Sequence, residues 1–303
     1  MMQPLQPGDS VGLYEIVSLL KEGHGGMSAV YQARRRPHYQ QPGYPDLVAL
    51  KVALPSYENQ LRSEANFMSR FNHPNVVTVY GVRQAGDTAK VGEANLKDGH
   101  RVVYMAMELL TGGSLTKRLE QRGQLSPREA SLVARDLALA LQHIHSLRVL
   151  SLDIKPDNIL FRGAGRRALG SHPRAVLCDF GIARDMGYLV IGEYAGTPGY
   201  TAPEQVIYGQ VDPRRLTPAT DIFQWGVLFY QMVTGDLPFG LDTGALIDPT
   251  YAAPPISSRR RVSKDLDLMV QHALQKDPAR RYQSTDELLQ DMKKLRLPST
   301  RDL

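Results

Sequence analysis

The sequence predicts an α+β, bilobal fold with a small, β-rich N-terminal lobe and a larger, α-helical C-terminal lobe. Strand-like runs dominate the first hundred residues, whereas capped or strongly apolar helical segments dominate the chain after Gly112. The pattern changes near residues 108–113. We therefore expect one lobe over residues 12–108 and a second over residues 109–297, with flexible termini at residues 1–11 and 298–303.

Runs of β-branched and aromatic residues predict five strands in the N-terminal lobe. A helix is expected over residues 59–71, because Leu61, Ala65 and Met68 recur at helical spacing. Two polar, glycine-containing stretches, residues 34–45 and 84–100, predict long hairpin loops. The expected strands are Tyr14–Val17, Ala29–Tyr31, Leu47–Val52, Val76–Tyr80 and Val102–Met107.

Helix signals are clearest in the C-terminal lobe. Ser126-Pro127-Arg128-Glu129 combines a capping box with proline at the first helical position, so a helix should begin there. Residues 284–287 form a second capping box before a final helix. The segment over residues 221–233 is apolar on nearly all sides, which is typical of a helix buried at the centre of a domain.

Composition narrows the classes of protein that remain. The net charge of +5 comes largely from clusters such as residues 34–36 and 259–261, which lie in apparent loops. We interpret them as solvated surface and expect no nucleic-acid partner, since binding usually needs a basic stripe on one face. The single Cys178 excludes an intramolecular disulfide and fits a reducing compartment, so we expect a cytoplasmic location. Neither a signal peptide nor an apolar run of about 18 residues is found, so no membrane insertion is expected.

Two short motifs of the C-terminal lobe carry the residues best suited to chemistry. Residues 153–158 place Asp153, Lys155 and Asn158 in one loop, and Asp179-Phe180-Gly181 follows. One acid can orient a hydroxyl, a lysine can neutralise a transferring phosphate, and an asparagine and a second acid can hold magnesium. An Asx-rich turn would explain the first motif alone. The spacing and order of both motifs favour a phosphoryl-transfer site around a nucleoside triphosphate.

Two features of the N-terminal lobe fit the same chemistry. The glycine-rich residues 23–30, with Ser28 at the third glycine position of the pattern, would let backbone N–H groups approach phosphates. Taken alone, the motif is better explained by a tight hairpin without a ligand. Lys51 lies in an otherwise apolar strand, where a lysine is costly unless it is paired. Glu64, 13 residues later on the expected helix, is the natural partner; two unrelated surface charges are the alternative.

With these motifs in view, residues 12–297 resemble the eukaryotic-type serine/threonine protein kinases, with a similarity to bacterial members. The resemblance implies a bilobal kinase fold with an ATP cleft between the lobes. Further segments match the family in chain order: His73–Val77, Met107–Leu110 as gatekeeper and hinge, Gly112–Leu115, Gly196–Glu204 as the substrate-docking loop, Asp221 of a buried helix, and Asp277–Tyr282, whose Arg281 is expected to pair with Glu204.

The resemblance implies transfer of the γ-phosphate of ATP to serine or threonine hydroxyls of protein substrates. Asp153 would orient the acceptor hydroxyl and Lys155 would stabilise charge on the γ-phosphate. Lys51 would hold phosphates and Glu64 would hold Lys51. Mg²⁺, with Mn²⁺ as the alternative, would be bound by Asn158 and Asp179. The expected nucleotide-binding residues are Gly23, Gly25, Gly26, Val30, Ala49, Lys51, Met107, Glu108, Leu110, Ser114 and Leu160.

Three departures from the family pattern shape the expectation. Ser151 and Leu152 stand where the family usually has His-Arg, so the arginine that grips a phosphorylated activation segment is missing. We therefore expect activity without activation-loop phosphorylation, with control from a tethered or partner regulatory domain. Residues 240–255, with Gly244 and Pro249, are a poor helix, so the family's helix G is expected to be shortened or lost.

Two other functions remain open at this point. A pseudokinase would act as a nucleotide-binding interaction module without turnover, and the Ser151-Leu152 pair motivates it. A small-molecule phosphotransferase on a related fold is the third reading, which the docking loop ending at Glu204 and the pairing residue Arg281 disfavour.

Overall fold

The computed structural model describes residues 4–22, 28–53, 55–82, 89–163, 173–187, 196–206 and 216–295. The chain divides into two compact units. The first unit comprises Met1–His73, Val77–Leu110 and Asp179–Gly181, and the second comprises Pro74–Val76, Thr111–Cys178 and Ile182–Leu303.

The first unit is built on an antiparallel sheet with one helix. Within the described residues the sheet has six strands in the order β1-β2-β3-β4-β6-β5. The elements are β1 (Ser10–Val11), β2 (Tyr14–Glu22), β3 (Ser28–Arg35), β4 (Leu47–Ala53), α1 (Glu58–Met68), β5 (Val91–Asn95) and β6 (Arg101–Met107).

One face of this sheet carries a hydrophobic core. Alternate residues of a strand point to the same face, so Val48, Leu50 and Val52 of β4 lie together on it and are almost fully buried. Leu5 and Val11 are also buried in this core, although we assigned residues 1–11 to a flexible terminus. The chain before β2 therefore contributes apolar side chains to the core.

Two local predictions within residues 76–100 were wrong. Strand β5 lies inside residues 84–100, where we expected only a loop. Its sequence has no apolar alternation, and the strand is defined by pairing with β6, where Gly92 lies against the Tyr104 ring. Residues 76–80, expected as a strand, form only isolated bridges. The valines of this run are buried, so its apolar sequence indicates burial and not a continuous ladder of backbone hydrogen bonds.

The second unit is mainly helical, as the sequence predicted. Its helices in the described residues are α2 (Leu115–Arg122), α3 (Pro127–Ser146), α4 (Pro203–Val206), α5 (Pro218–Thr234), α6 (Thr243–Ile247), α7 (Lys264–Ala273) and α8 (Thr285–Lys294). Two short antiparallel pairs accompany them, β7 (Val149–Leu150) with β10 (Arg184–Asp185) and β8 (Ile159–Phe161) with β9 (Ala175–Leu177). No helix in the described part of the chain is long and apolar enough to cross a membrane.

Helix α5 is the buried centre of this unit. Nearly every residue from Ala219 to Val233 is shielded from solvent, which confirms the prediction from its all-round apolar sequence. The indole N–H of Trp225 donates to the Ala134 carbonyl of α3 at 2.8 Å, so this large side chain leaves no unpaired polar atom. The serine half of each predicted capping box is present at its helix start: Ser126 and Ser284 each accept a backbone N–H three residues on.

A buried ion pair ties α4 to the segment before α8. Arg281 donates from Nη1 and Nη2 to the two carboxylate oxygens of Glu204 at 2.7 and 2.8 Å, which confirms the expected pairing. Thr220 adds a hydroxyl donor to the same carboxylate at 2.9 Å. Both charged side chains are almost fully buried, so neither has water as an alternative partner.

We predict that Arg281→Met lowers the free energy of unfolding by about 3–5 kcal/mol, because it leaves the Glu204 carboxylate buried without its cation. Chemical denaturation measures the loss. Arg259→Met is the matched control, since Arg259 pairs with Asp236 at an exposed site where such pairs contribute at most about 1 kcal/mol. Equal effects of the two substitutions would contradict the prediction.

Candidate active site

In the first unit, Lys51 of β4 and Glu64 of α1 form the expected pair. Lys51 Nζ donates to Glu64 Oε1 at 2.8 Å and to Oε2 at 2.7 Å. The side chains are 12% and 3% exposed, so each charge depends on the other. Burial alone would lower the pKa of Lys51, but the carboxylates of Glu64 and Asp179 outweigh burial and raise that pKa above its ordinary value. Lys51 is therefore a fixed positive charge at neutral pH.

Asp179 extends this pair. Lys51 Nζ also approaches Asp179 Oδ1 at 3.5 Å, and the same oxygen accepts the Gly181 N–H at 3.1 Å. Asp179 adopts a left-handed backbone conformation with φ of 67°, which is uncommon outside glycine and more frequent for Asp and Asn. Phe180 is buried against the Phe71 ring at a centroid distance of 4.9 Å and so anchors the turn, while the Asp179 side chain stays 42% exposed.

The nucleotide-binding residues expected on the sheet share one face of it. Val30 lies opposite Lys51, and Ala49 lies opposite Met107. Since residues two apart on β4 point the same way, all four side chains lie on the face opposite to the Leu50 core. The Glu108 N–H, next along the chain, donates to the Thr78 carbonyl at 2.9 Å.

The remaining expected nucleotide-binding residues lie elsewhere. Gly23, Gly25 and Gly26 lie outside the described residues. Leu110 is half-buried at the end of a segment of the first unit. In the second unit, Ser114 bridges to Leu160 of β8, and its hydroxyl caps α2 by accepting from Lys117 N at 3.2 Å.

In the second unit, the loop after β7 gathers Asp153, Lys155 and Asn158. Lys155 Nζ lies 2.8 Å from Asp153 Oδ2, and Asn158 Nδ2 donates to the same carboxylate at 2.9 Å. The Thr197 hydroxyl donates to Asp153 Oδ1 at 2.8 Å and accepts from Lys155 at 2.8 Å. These contacts close a network around a single carboxylate. Asp153 is thus held with one oxygen on a hydroxyl and the other beside a cation.

Helix α5 holds this loop through polar residues that we did not identify from the sequence as a unit. The buried Asp221 carboxylate accepts the backbone N–H groups of Ser151 at 2.9 Å and Leu152 at 2.8 Å. Gln224, one turn later, accepts from Ile154 N at 3.0 Å and donates to the Leu152 carbonyl at 2.8 Å. Leu152 itself has a φ of 64°. Two polar residues three apart within an apolar helix were the available sequence signal.

His145, at the end of α3, is another residue that sequence reasoning missed. Its Nε2 lies 2.8 Å from Asp221 Oδ2, and its Nδ1 lies 2.7 Å from the Thr285 hydroxyl of α8. The ring therefore joins α3 to α8 and to the Asp221 carboxylate of α5, which holds the loop. His143 also lies in the last turn of this helix, and nothing in the sequence singled out either histidine for this role.

Comparison with known proteins agrees with the geometry. The family model described as the protein kinase domain matches residues 14–292. The serine/threonine-protein kinase PknB of Mycobacterium tuberculosis is 32% identical over 289 residues, which are 92% of this chain and 42% of that protein. The serine/threonine-protein kinase drp72 of Corynebacterium efficiens is 31% identical over 286 residues, 91% of this chain and 49% of that protein. The chain thus spans less than half the length of these relatives. The match over residues 14–292, with the paired Lys51 and the Asp153 loop, means that this chain belongs to the protein kinase domain family.

Proposed function

We propose that this protein transfers the γ-phosphate of ATP to serine or threonine hydroxyls of protein substrates, with Mg²⁺ as the metal. In this reaction Asp153 orients the acceptor hydroxyl and Lys155 stabilises negative charge on the transferring group. Lys51, fixed by Glu64, supplies positive charge to the nucleotide phosphates. The named relatives, which are serine/threonine-protein kinases, support the choice of acceptor.

One observation carries the proposal: Asp153 accepts a hydroxyl at 2.8 Å while a lysine ammonium lies 2.8 Å from its other oxygen. A general base must lie within hydrogen-bond reach of the proton that it accepts, and this contact shows that the carboxylate can take a hydroxyl at such a distance. The hydroxyl belongs to Thr197 of the docking loop. An acceptor side chain held near this loop would meet the same carboxylate and the same cation.

The donor chemistry of Asn158 and that of Asp179, each taken by itself, suits a magnesium ion. Mg²⁺ prefers oxygen ligands, usually one or two protein groups with phosphate oxygens and water. Asn158 uses its Nδ2 to hold Asp153, which leaves its amide oxygen for a metal. Asp179 offers a carboxylate on a side chain that is 42% exposed. Bound Mg²⁺ would neutralise charge on the nucleotide phosphates.

A pseudokinase remains the second candidate because of one observation. Ser151 stands where the family usually has histidine, and its buried hydroxyl has no hydrogen-bond partner in the described part of the chain. The side chain at position 151 is therefore shorter and more polar than the histidine that the family usually has there. The Asp153 network and the Lys51–Glu64 pair nevertheless retain the groups that we propose act on the acceptor hydroxyl and on the phosphates, and so favour turnover.

We further propose that activity does not require phosphorylation of the activation segment. Leu152 stands where the family's phosphate-gripping arginine usually lies, and it packs in an apolar cluster with Leu150, Leu216, Ile182 and Met186. A phosphate would find neither charge nor donor on this side chain. Apolar packing would order the segment in place of a phosphate contact.

The hydroxyls of the docking loop support the same proposal. Thr197 bonds to Asp153 and Lys155, Tyr200 donates to Gln231 Oε1 at 2.6 Å, and Thr201 donates to the Thr197 carbonyl at 2.9 Å. Burial raises the pKa of Tyr200 to about 12, so its phenol remains a neutral donor. These hydroxyls have structural partners. Tyr188 and Tyr194, the other candidates, lie outside the described residues.

The proposal also covers how the activity is controlled and where in the cell the reaction occurs. We propose that a tethered or partner domain controls the activity, because Leu152 offers no donor or charge through which a phosphorylated activation segment could act. We place the reaction in the cytoplasm, where ATP and a reducing environment for Cys178 are both available.

The decisive experiment measures transfer of radiolabelled phosphate from ATP to a generic protein substrate, with Asp153→Asn as the paired variant. We expect wild-type transfer to serine or threonine and a loss of at least about a hundredfold in the variant, since general-base catalysis contributes about 10²–10⁴-fold. Nucleotide binding without transfer by the wild type would instead establish the pseudokinase. Labelling confined to a small molecule would exclude a protein substrate.

We predict that Lys51→Met and Asp179→Asn each abolish phosphoryl transfer with the fold intact. The first removes the phosphate-facing charge and the partner of Glu64, and the second removes a metal ligand. Activity is measured beside circular dichroism, with Lys294→Met as the control because that lysine is 74% exposed. If a variant retains more than about a tenth of wild-type activity, the activation free energy has risen by less than about 1.4 kcal/mol, and the assigned role is wrong.

We predict that phosphatase-treated protein, checked by mass spectrometry, matches untreated protein in initial rate. The reason is that Leu152 cannot bind a phosphate, so removing one costs nothing there. A drop of about tenfold or more that preincubation with MgATP restores would contradict this. It would mean that another basic residue, such as Arg184, holds the phosphate.

A further inference from the structure

Helix α6 cannot maintain its conformation alone. It has only five residues, Thr243–Ile247, and includes Gly244. Isolated helices shorter than about 12 residues are marginal in water, and an internal glycine costs about 1 kcal/mol more than alanine. Asp242 caps the first turn by accepting the Gly244 N–H at 2.8 Å. The other end of the helix needs a partner from elsewhere in the unit.

Lys276 is that partner. Its Nζ donates to the carbonyl of Ala245 at 2.5 Å and also to the carbonyl of Asp248 at the C-terminal end of α6. The last carbonyls of a helix lack partners within the helix, and a cation satisfies them well. The ammonium also lies 5.1 Å from the Phe239 ring centre and 5.3 Å from that of Tyr251. One side chain thus holds α6, the segment before it and the segment after it.

The backbone of Lys276 is tied to the docking loop. Its carbonyl accepts from Arg281 Nη2 at 2.8 Å, and the same guanidinium holds Glu204 at the end of that loop. The Lys276 backbone and side chain therefore connect Glu204 with α6. A movement of either would be transmitted through this lysine.

The docking loop that ends at Glu204 and the segment around α6 form two walls of one cavity. The cavity has a volume of about 300 Å³, and its apolar lining includes Pro198 and Val206 from one wall and Phe239, Leu241 and Leu246 from the other. The walls touch at Gly199, which has a φ of 85° and whose added Cβ would lie 2.6 Å from Leu237 and 3.2 Å from Leu241. The shape of the cavity consequently depends on where α6 is held.

We propose that Lys276 is a positioning residue for protein-substrate binding: by clamping the C-terminal end of α6 to the segment that holds Glu204, it sets the cavity wall beside the docking loop. The inference rests on the proposed function, in which this loop receives the protein substrate. Lys276 touches no reacting group. Its removal should therefore weaken substrate binding and leave the chemical step unchanged.

The test compares Lys276→Met, Lys276→Arg and the control Lys294→Met in steady-state kinetics with a protein substrate. Met keeps the length of the stem and removes the donors. We expect Lys276→Met to raise the KM for the protein substrate about tenfold, which corresponds to about 1.4 kcal/mol. The kcat and the KM for ATP should change less than about twofold, and Lys276→Arg should restore most of the substrate KM. Lys294→Met should match wild type.

Each remaining outcome decides the proposal. An unchanged KM for the protein substrate in Lys276→Met would overturn the proposal. A lower kcat together with higher KM values for both ATP and the protein substrate, in step with a lower melting temperature, would also overturn it, because that pattern indicates a purely structural lysine. A wild-type protein without any transfer would overturn the proposed function and the positioning role together. Faster amide exchange at residues 243–248 in Lys276→Met, with slow exchange in Lys276→Arg, is expected alongside the kinetic effect.

Discussion

The buried carboxylate of Asp221 is the constraint on which the second unit's site depends. It accepts two consecutive backbone N–H groups, from Ser151 and Leu152, and contacts the His145 ring. Leu152 is held in a left-handed conformation, which costs an L-residue about 1–2 kcal/mol. Hydrogen bonds to a charged group contribute about 1.5–3 kcal/mol each, so the two backbone bonds outweigh that cost. The turn that follows places Asp153 at a fixed point, because α5 is buried on nearly all sides and cannot shift without disturbing the core.

The sequence was sufficient to predict a residue's partner or burial where the neighbouring residues in the chain made that partner or burial necessary. Lys51 stands alone in an apolar strand, so a partner was required, and Glu64 was the acid at the right distance on the next helix. The Arg281–Glu204 pair and the buried α5 followed from the family motif and from all-round apolarity. The Asp153, Lys155 and Asn158 cluster could be predicted because its members lie within six residues. For Lys51, α5 and the Asp153 cluster the physical cost of being unpaired or exposed was local to the pattern, whereas the Arg281–Glu204 pair, 77 residues apart, was predicted only from the family motif.

The parts that the sequence did not reveal depend on contacts between distant segments. Strand β5 has no apolar alternation, since its place at a sheet edge is defined by pairing with β6 and by the room that Gly92 leaves for Tyr104. Residues 76–80 have the opposite character, apolar and buried but not continuously paired. His145 and Gln224 could not be assigned because their partners are backbone and side-chain atoms on other elements, about 70 residues away or more along the chain.

Two residues of the second unit show how a cation can be replaced or reused. We propose that Leu152 replaces an arginine of the family. Leu152 packs against Leu216 and its neighbours, so order there would come from exclusion of water rather than from a charge pair. At Lys276 the reverse holds, because an ammonium satisfies the carbonyls of a helix that is too short to be stable alone. A buried apolar cluster resists rearrangement because protein interiors are close-packed, whereas a clamp made of two hydrogen bonds and two ring contacts can open at modest cost. The segment around α6 is therefore open to adjustment, and it lies beside the loop that we propose receives the protein substrate.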